Sequence, residues 1–182
     1  GAATTVPVHV YGVDGIRKSL QEFCTEQPQL KIVEDAASLG YERFNGPSIS
    51  LLKGDFFDFG PAAVDGTQFD AMFDRGSLVA IDPSMRGKYL DVIGNCIAPG
   101  GRILLVTLER RSADNPEATK KGPPFSISEA MVREMYGALD WVDTITMISS
   151  EDTLVDNPSN QERYSDLDSM WEHAFVVQAK KK

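Results

Sequence analysis

The stretch Phe69–Pro83, FDAMFDRGSLVAIDP, decides the fold. Its first half is mostly apolar (Phe69, Ala71, Met72, Phe73), as a buried strand requires. The pattern breaks at Asp74-Arg75-Gly76, a polar corner with a glycine. It resumes as a helix, with Asp82 suited to the N-cap and Pro83 to the first helical position. Open α/β sheets bind their ligands outside the carboxyl ends of the strands, so Asp74 and Arg75 stand where a site belongs. The spacing alone also admits a surface turn with an incidental ion pair.

Upstream, Val6–Val13 reads as a buried strand that ends at Asp14. A helix follows with Ile16, Leu20, Phe23 and Cys24 on one face. A carboxylate at a strand tip can accept from both hydroxyls of a ribose; it can equally cap the helix. Residues 26–48 are polar and irregular, with short strand pieces around Ile32 and Tyr41. Ile49–Leu52 is the next strand and runs into Gly54-Asp55-Phe56-Phe57-Asp58-Phe59. There an acid can accept from an exocyclic amino group while an aromatic ring packs on a base. The same residues also suit an aromatic turn that plugs the edge of the core. A nucleotide fold places its glycine turn ~20 residues before the ribose acid, whereas Gly1 stands 13 residues before Asp14. A first strand and glycine turn missing at the start, or a break in the chain there, is therefore expected.

Downstream, Met85, Tyr89, Val92, Ile93, Cys96 and Ile97 mark an amphipathic helix, which Pro99-Gly100-Gly101 ends. Arg102–Leu108, RILLVTL, is the most apolar strand and is expected at the centre of the sheet. Glu109–Lys121 reads as a charged loop, and Gly122-Pro123-Pro124-Phe125 as a stiff elbow. Ser126 and Glu129 form a capping box for a helix carrying Met131, Val132, Met135, Tyr136 and Leu139. Trp141–Ile148 is a strand, Glu151–Ser169 a long acidic loop containing Arg163, and His173–Gln178 the final strand. Repeated strand–helix units imply a parallel sheet with right-handed crossovers. The last two strands, joined without a helix, form an antiparallel hairpin.

With 182 residues, 42% hydrophobic and 25% charged, the chain has the make-up of one soluble domain. A net charge of −9 argues against nucleic acid and anionic membranes as partners and favours a small molecule. No apolar run approaches the ~20 residues of a membrane span. Cys24 and Cys96 read as reduced core residues of an intracellular, cytoplasmic protein. His9 and His173 lie in strand-like segments and read as structural.

A doubly wound, mostly parallel Rossmann-like sheet with a C-terminal antiparallel hairpin resembles class I S-adenosylmethionine-dependent methyltransferases. The segments GVDGIRKSLQEFCTEQ, FDAMFDRGSLVAIDPSMRGKY and GPPFSISEAMVREMYG resemble those of the thiopurine S-methyltransferase family, roughly from Val10 to the C-terminus. The resemblance implies one methyltransferase domain over 1–182, without its first strand and glycine turn. It also implies S-adenosyl-L-methionine as cofactor, S-adenosyl-L-homocysteine as product, and a monomer acting on a small thiol. Within it, Asp14 matches the acid on the ribose, and Asp55 and Phe56 match the positions beside the adenine. Arg75 matches the arginine near the methyl donor and the acceptor. Arg163 falls about where the family has a substrate-side arginine, across a gap of about two residues. Leu108-Glu109-Arg110 departs from the family, whose strand end often carries an aromatic or aspartate and then proline.

The implied reaction is in-line methyl transfer to a thiol or thione sulfur. Such a reaction needs alignment and a water-poor pocket more than acid–base chemistry. No metal and no catalytic triad are expected. Three other readings stand beside it: a halide, hydrosulfide, selenium or tellurium acceptor on the same fold; a nicotinamide enzyme; and a non-catalytic cofactor-binding relative.

Overall fold

The computed structural model describes residues 5–8, 31–33, 42–45, 50–155 and 158–181. The expectations at His9, at Asp14 and over the helix bearing Ile16 to Cys24 lie outside these residues. The chain divides into two compact units, Gly1–His9 with Gln68–Lys182, and Val10–Thr67.

In the first unit the central stretch folds largely as its pattern requires. Phe69–Arg75 is a strand, here β5, and it includes Asp74 and Arg75 rather than stopping before them. Gly76 turns the chain at φ +87°, a conformation open to glycine at no steric cost. Asp82 then caps a tight turn at Pro83–Met85 by accepting from the Ser84 amide at 2.9 Å. Helix α1, Arg86–Cys96, continues from that turn and buries Tyr89, Leu90, Val92, Ile93 and Cys96 at three- and four-residue spacings. Met85, expected on the same face, is 38% exposed because it precedes the α-helical register.

A five-stranded sheet organises this unit in the order β1-β5-β6-β8-β7. Its other strands are β1 (Thr5–Val8), β6 (Ile97–Arg111), β7 (Val142–Asp152) and β8 (Ser169–Ala179). β1 pairs with β5 and β5 with β6 in parallel; β8 pairs antiparallel with both β6 and β7. The most apolar strand is thus the middle one, and the C-terminal hairpin is present with β8 inserted between β6 and β7. The sheet is mixed, with two parallel and two antiparallel ladders.

Alternation along β6 sends Ile103, Leu105 and Thr107 into the core, while Arg102 and Leu104 stay exposed. Register puts Leu105 beside Asp74 on β5 and beside Phe175 on β8, so all three share one face. Helix α1 covers that face, since Tyr89 donates to Asp74.

Three loop expectations are corrected. The segment Glu109–Lys121 is not wholly a loop: β6 runs on to Arg111, where it still pairs with β8, and a short helix α2 spans Pro116–Lys120. Ser128, not Ser126, caps helix α3 (Glu129–Gly137), accepting from the Met131 amide at 3.3 Å. Ser126 is occupied elsewhere, its hydroxyl accepting from the Arg110 amide at 2.9 Å. The acidic loop is likewise shorter than expected: β7 extends to Asp152, helix α4 fills Pro158–Arg163, and β8 starts at Ser169.

In the second unit β2 (Lys31–Val33), β3 (Glu42–Asn45) and β4 (Ser50–Lys53) form a separate antiparallel sheet. The expected parallel arrangement therefore does not extend to Ile49–Leu52. Only residues 46–49 join β3 to β4, and a parallel crossover needs a dozen or more. Beyond β4, Asp55 caps a tight turn over Phe56–Asp58, and Ala63 packs with Leu52 and Phe59.

Candidate active site

β1, β5 and β6 end at the same edge of the five-stranded sheet, and β8, running the other way, begins there. Adjacent residues of β5 part company at this edge. Asp74 points into the core and is 1% exposed; Arg75 points to the other face and is exposed.

Asp74 holds the following turn to the helix. Its Oδ1 accepts from the Leu78 amide at 3.3 Å and its Oδ2 from the Tyr89 hydroxyl at 2.8 Å. Burial pushes its carboxyl up to about 6, against the pull of those hydrogen bonds. Burial first, and the nearby Asp74 charge second, push the phenols of Tyr89 and Tyr136 well up, so Tyr89 keeps the proton it donates. Asp74 therefore ties the turn to α1, and of the pair only Arg75 is exposed to solvent.

Arg75 reaches across β6 to β8, where its Nη2 lies 3.1 Å from Oε2 of Glu172. Register places Arg75 beside Val106, and Glu172 beside Leu108. Val106 and Leu108 share the Arg75–Glu172 face and are half-buried. The result is an exposed ion pair bridging three strands over an apolar floor.

On the opposite face Glu109 joins Arg111 to the ring of His173. Its Oε1 and Oε2 accept from Arg111 at 3.0 and 3.1 Å, and its Oε2 lies 2.9 Å from His173 Nε2. The Arg111 hydrogen bond, and to a lesser degree His173, hold its carboxyl below the usual range despite partial burial. His173 is 3% exposed, its Nδ1 lies 3.0 Å from Ser150 Oγ, and its ring stacks at 6.5 Å on Trp171. The structural reading of His173 is thus supported. Glu109, where the chain departs from the resembling family, is tied into this network.

The elbow after α2 closes on the turn that follows β5. Phe125 donates its amide to the Val79 carbonyl at 2.6 Å, and the Arg86 guanidinium lies 5.9 Å from the Phe125 ring centre. Arg110 fixes the other end, donating to the Lys121 carbonyl at 2.6 Å. Gly122 has no room for a side chain, because a Cβ there would overlap the Phe125 ring.

Arg163, the last residue of α4, is exposed and stands 5.3 Å over the Tyr164 ring. In the second unit Asp55 is exposed, and its Oδ1 accepts from the Phe57 amide at 2.9 Å. Phe56 is half-buried and stacks at 6.4 Å on Phe59. An acid and an aromatic ring thus share one capped turn, an acceptor and stacking set that could meet the exocyclic amino group and face of an adenine. Sequence reading missed Glu172 and the Glu109–His173 contact, since both depend on hairpin register, which residue types alone do not fix.

Among solved structures, the N-methyltransferase NodS from Bradyrhizobium japonicum WM9, in complex with S-adenosyl-L-homocysteine, superposes with a TM-score of 0.51 at 13% identity. The match covers 96% of this chain and 65% of that one. Phosphoethanolamine N-methyltransferase 2 of Haemonchus contortus matches with the same TM-score of 0.51 at 14% identity, over 74% of this chain and 38% of its own. The architecture is therefore the α/β fold with a mixed sheet found in methyltransferases.

The model of the thiopurine S-methyltransferase family matches residues 5–180, and the chain belongs to that family, whose members depend on S-adenosylmethionine. A thiopurine S-methyltransferase of Shewanella woodyi is 31% identical over 175 residues, 95% of this chain and 72% of its own length. One from Nitrosospira multiformis is 37% identical over 123 residues, 68% of this chain but 51% of its own length. A probable thiopurine S-methyltransferase of Danio rerio is 33% identical over 175 residues, 94% of this chain and 69% of its own length. The chain thus spans between about half and three-quarters of these relatives.

Proposed function

We propose that the protein binds S-adenosyl-L-methionine and moves its methyl group to the sulfur of a small thiol or thiopurine-like acceptor. The observation that carries this reading is Arg75 at the carboxyl end of β5, beside the Gly76 turn, in a chain matched to the family over residues 5–180. The cofactor supplies an electrophilic methyl on a sulfonium. Transfer would form the bond to the acceptor sulfur as the bond to the sulfonium breaks, with S-adenosyl-L-homocysteine as the leaving group and the thiol proton going to solvent.

This chain's residues bind and align. Asp14 is assigned to the ribose hydroxyls, Asp55 and Phe56 to the adenine, Arg75 to the region of the methyl donor and acceptor, and Arg163 to the substrate side. The whole of 1–182 is read as part of one methyltransferase domain with a doubly wound sheet. A net charge of −9 supports a small-molecule acceptor over nucleic acid or anionic membrane. No helix among the described residues is long and apolar enough to cross a membrane. Action as a cytoplasmic monomer completes the proposal.

Arg75→Lys tests the assignment. Lysine keeps the charge but not the planar fork of donors. The exposed Arg75 ion pair contributes only about 0–1 kcal/mol to stability, so the melting temperature should hold. The methyl-transfer rate constant should fall about tenfold or more, equivalent to about 1.4 kcal/mol in the transition state. Near-normal turnover at a saturating thiol concentration would remove Arg75 from the site.

A further inference from the structure

We infer that Glu172 sets the charge selectivity of the acceptor site, disfavouring anionic thiols relative to neutral ones; this rests on the proposed function. Arg75 is an exposed cation at this edge, where Arg110 and Arg111 are engaged by the Lys121 carbonyl and by Glu109, and it is already partnered: its Nη2 meets Glu172 Oε2 at 3.1 Å. The two side chains come from strands that are not neighbours in the sheet, with β6 between them. They meet on the sheet face that carries the half-buried Val106 and Leu108; Leu108 packs against Ala118, Leu154, Leu167 and Met170, and Val106 offers an apolar contact to the uncharged part of an organic thiol. The pair is single-pronged, and its side chains are 61% and 39% exposed, so a ligand can reach both groups.

An anion approaching Arg75 competes with the Glu172 carboxylate and is repelled by it. A neutral thiol or thione is not subject to this repulsion, nor to that of Glu151, which stands in register beside Glu172 on β7 and adds to the negative charge an anion meets there. Glutamate at this place acts as a repulsive element against one class of ligand, a common means of building specificity. The opposing face carries Glu109 and Arg111, but Glu109 is already engaged there by Arg111 and by the His173 ring. Asp74 lies on that buried side as well.

The test uses two thiols that differ in charge, 3-mercaptopropionate and 3-mercaptopropanamide, with the full-length protein and S-adenosyl-L-methionine. Glu172→Gln should raise kcat/KM for the propionate relative to the amide about three- to fivefold at low salt, the range of an exposed pair. High salt should shrink the change. Glu172→Asp, which keeps the charge, should stay near the natural ratio. In an Arg75→Gln background Glu172→Gln should have less effect, because the two residues act as a couple. A ratio that Glu172→Gln leaves unchanged would overturn the inference, as would an equal effect on both thiols. Failure to methylate either thiol would count against the proposed function instead. Calorimetry of 3-mercaptopropionate binding then decides the inference without turnover: tighter binding by Glu172→Gln upholds it, and equal binding overturns it.

Discussion

Asp74→Asn should gain stability relative to the natural chain as the pH rises from 4 to 7, by about 2 kcal/mol. The Asp74 carboxyl is moved from 3.8 to about 6, chiefly by burial. Each pKa unit is worth about 1.4 kcal/mol of differential stability. The direction follows from proton binding. Between those two values the folded chain holds a proton that the unfolded chain has lost, so unfolding free energy falls as pH rises. The contribution of Asp74 is fully present below pH 3.8 and is lost as the pH passes through about 6. Asparagine has no such titration. It gives up an acceptor for one of the Tyr89 and Leu78 donors, a loss that is the same at every pH. Comparing the two proteins cancels the opposing behaviour of carboxylates such as Glu109, whose value is lowered. Urea unfolding of both at pH 4, 5, 6 and 7 reads the difference. A flat difference would mean that Asp74 is solvated and does not hold the turn to α1.

Phe175→Ala should cost about 3–5 kcal/mol, the usual range for deleting a buried aromatic side chain. The ring is 0% exposed and stands in register with Leu105 on β6 and Met147 on β7. It also meets the His173 ring edge-on at 6.2 Å. For a chain of this size the melting temperature should fall by about 10 °C. Val176→Ala, one residue along on the half-buried face, should cost about 1.5 kcal/mol or less. The contrast tests the register of the inserted strand, because a slip of one residue exchanges the two faces. A larger loss from Val176→Ala than from Phe175→Ala would refute the pairing.

The elements legible in the sequence were those that carry their own signals. Asp82-Pro83 marked the start of the helical segment, RILLVTL marked the central strand, and two strands without an intervening helix marked the hairpin. The strand at Ile49–Leu52 was misread as part of the parallel repeat because the strands before it are short and polar. The short link over residues 46–49 was the clue to an antiparallel pair. The capping box failed because Ser126 and Ser128 are both good caps, and only the contact with Arg110 shows which is occupied. At the candidate site, residue type and position at a strand end singled out Arg75, which stands exposed at the end of β5. They did not separate Asp74 from Arg75, which face opposite sides of the sheet, nor identify Glu172, which is 97 residues away in sequence.

The measurement that tests the central claim most directly follows the methyl group itself. Full-length protein is incubated with S-adenosyl-L-methionine carrying a deuterated methyl and a panel of small thiols and thiopurines, and the products are read by mass spectrometry. The account predicts a labelled S-methyl thioether matched one-to-one by S-adenosyl-L-homocysteine, and weaker production by Arg75→Lys. Tight binding of S-adenosyl-L-homocysteine with no labelled thioether from any sulfur acceptor would contradict it.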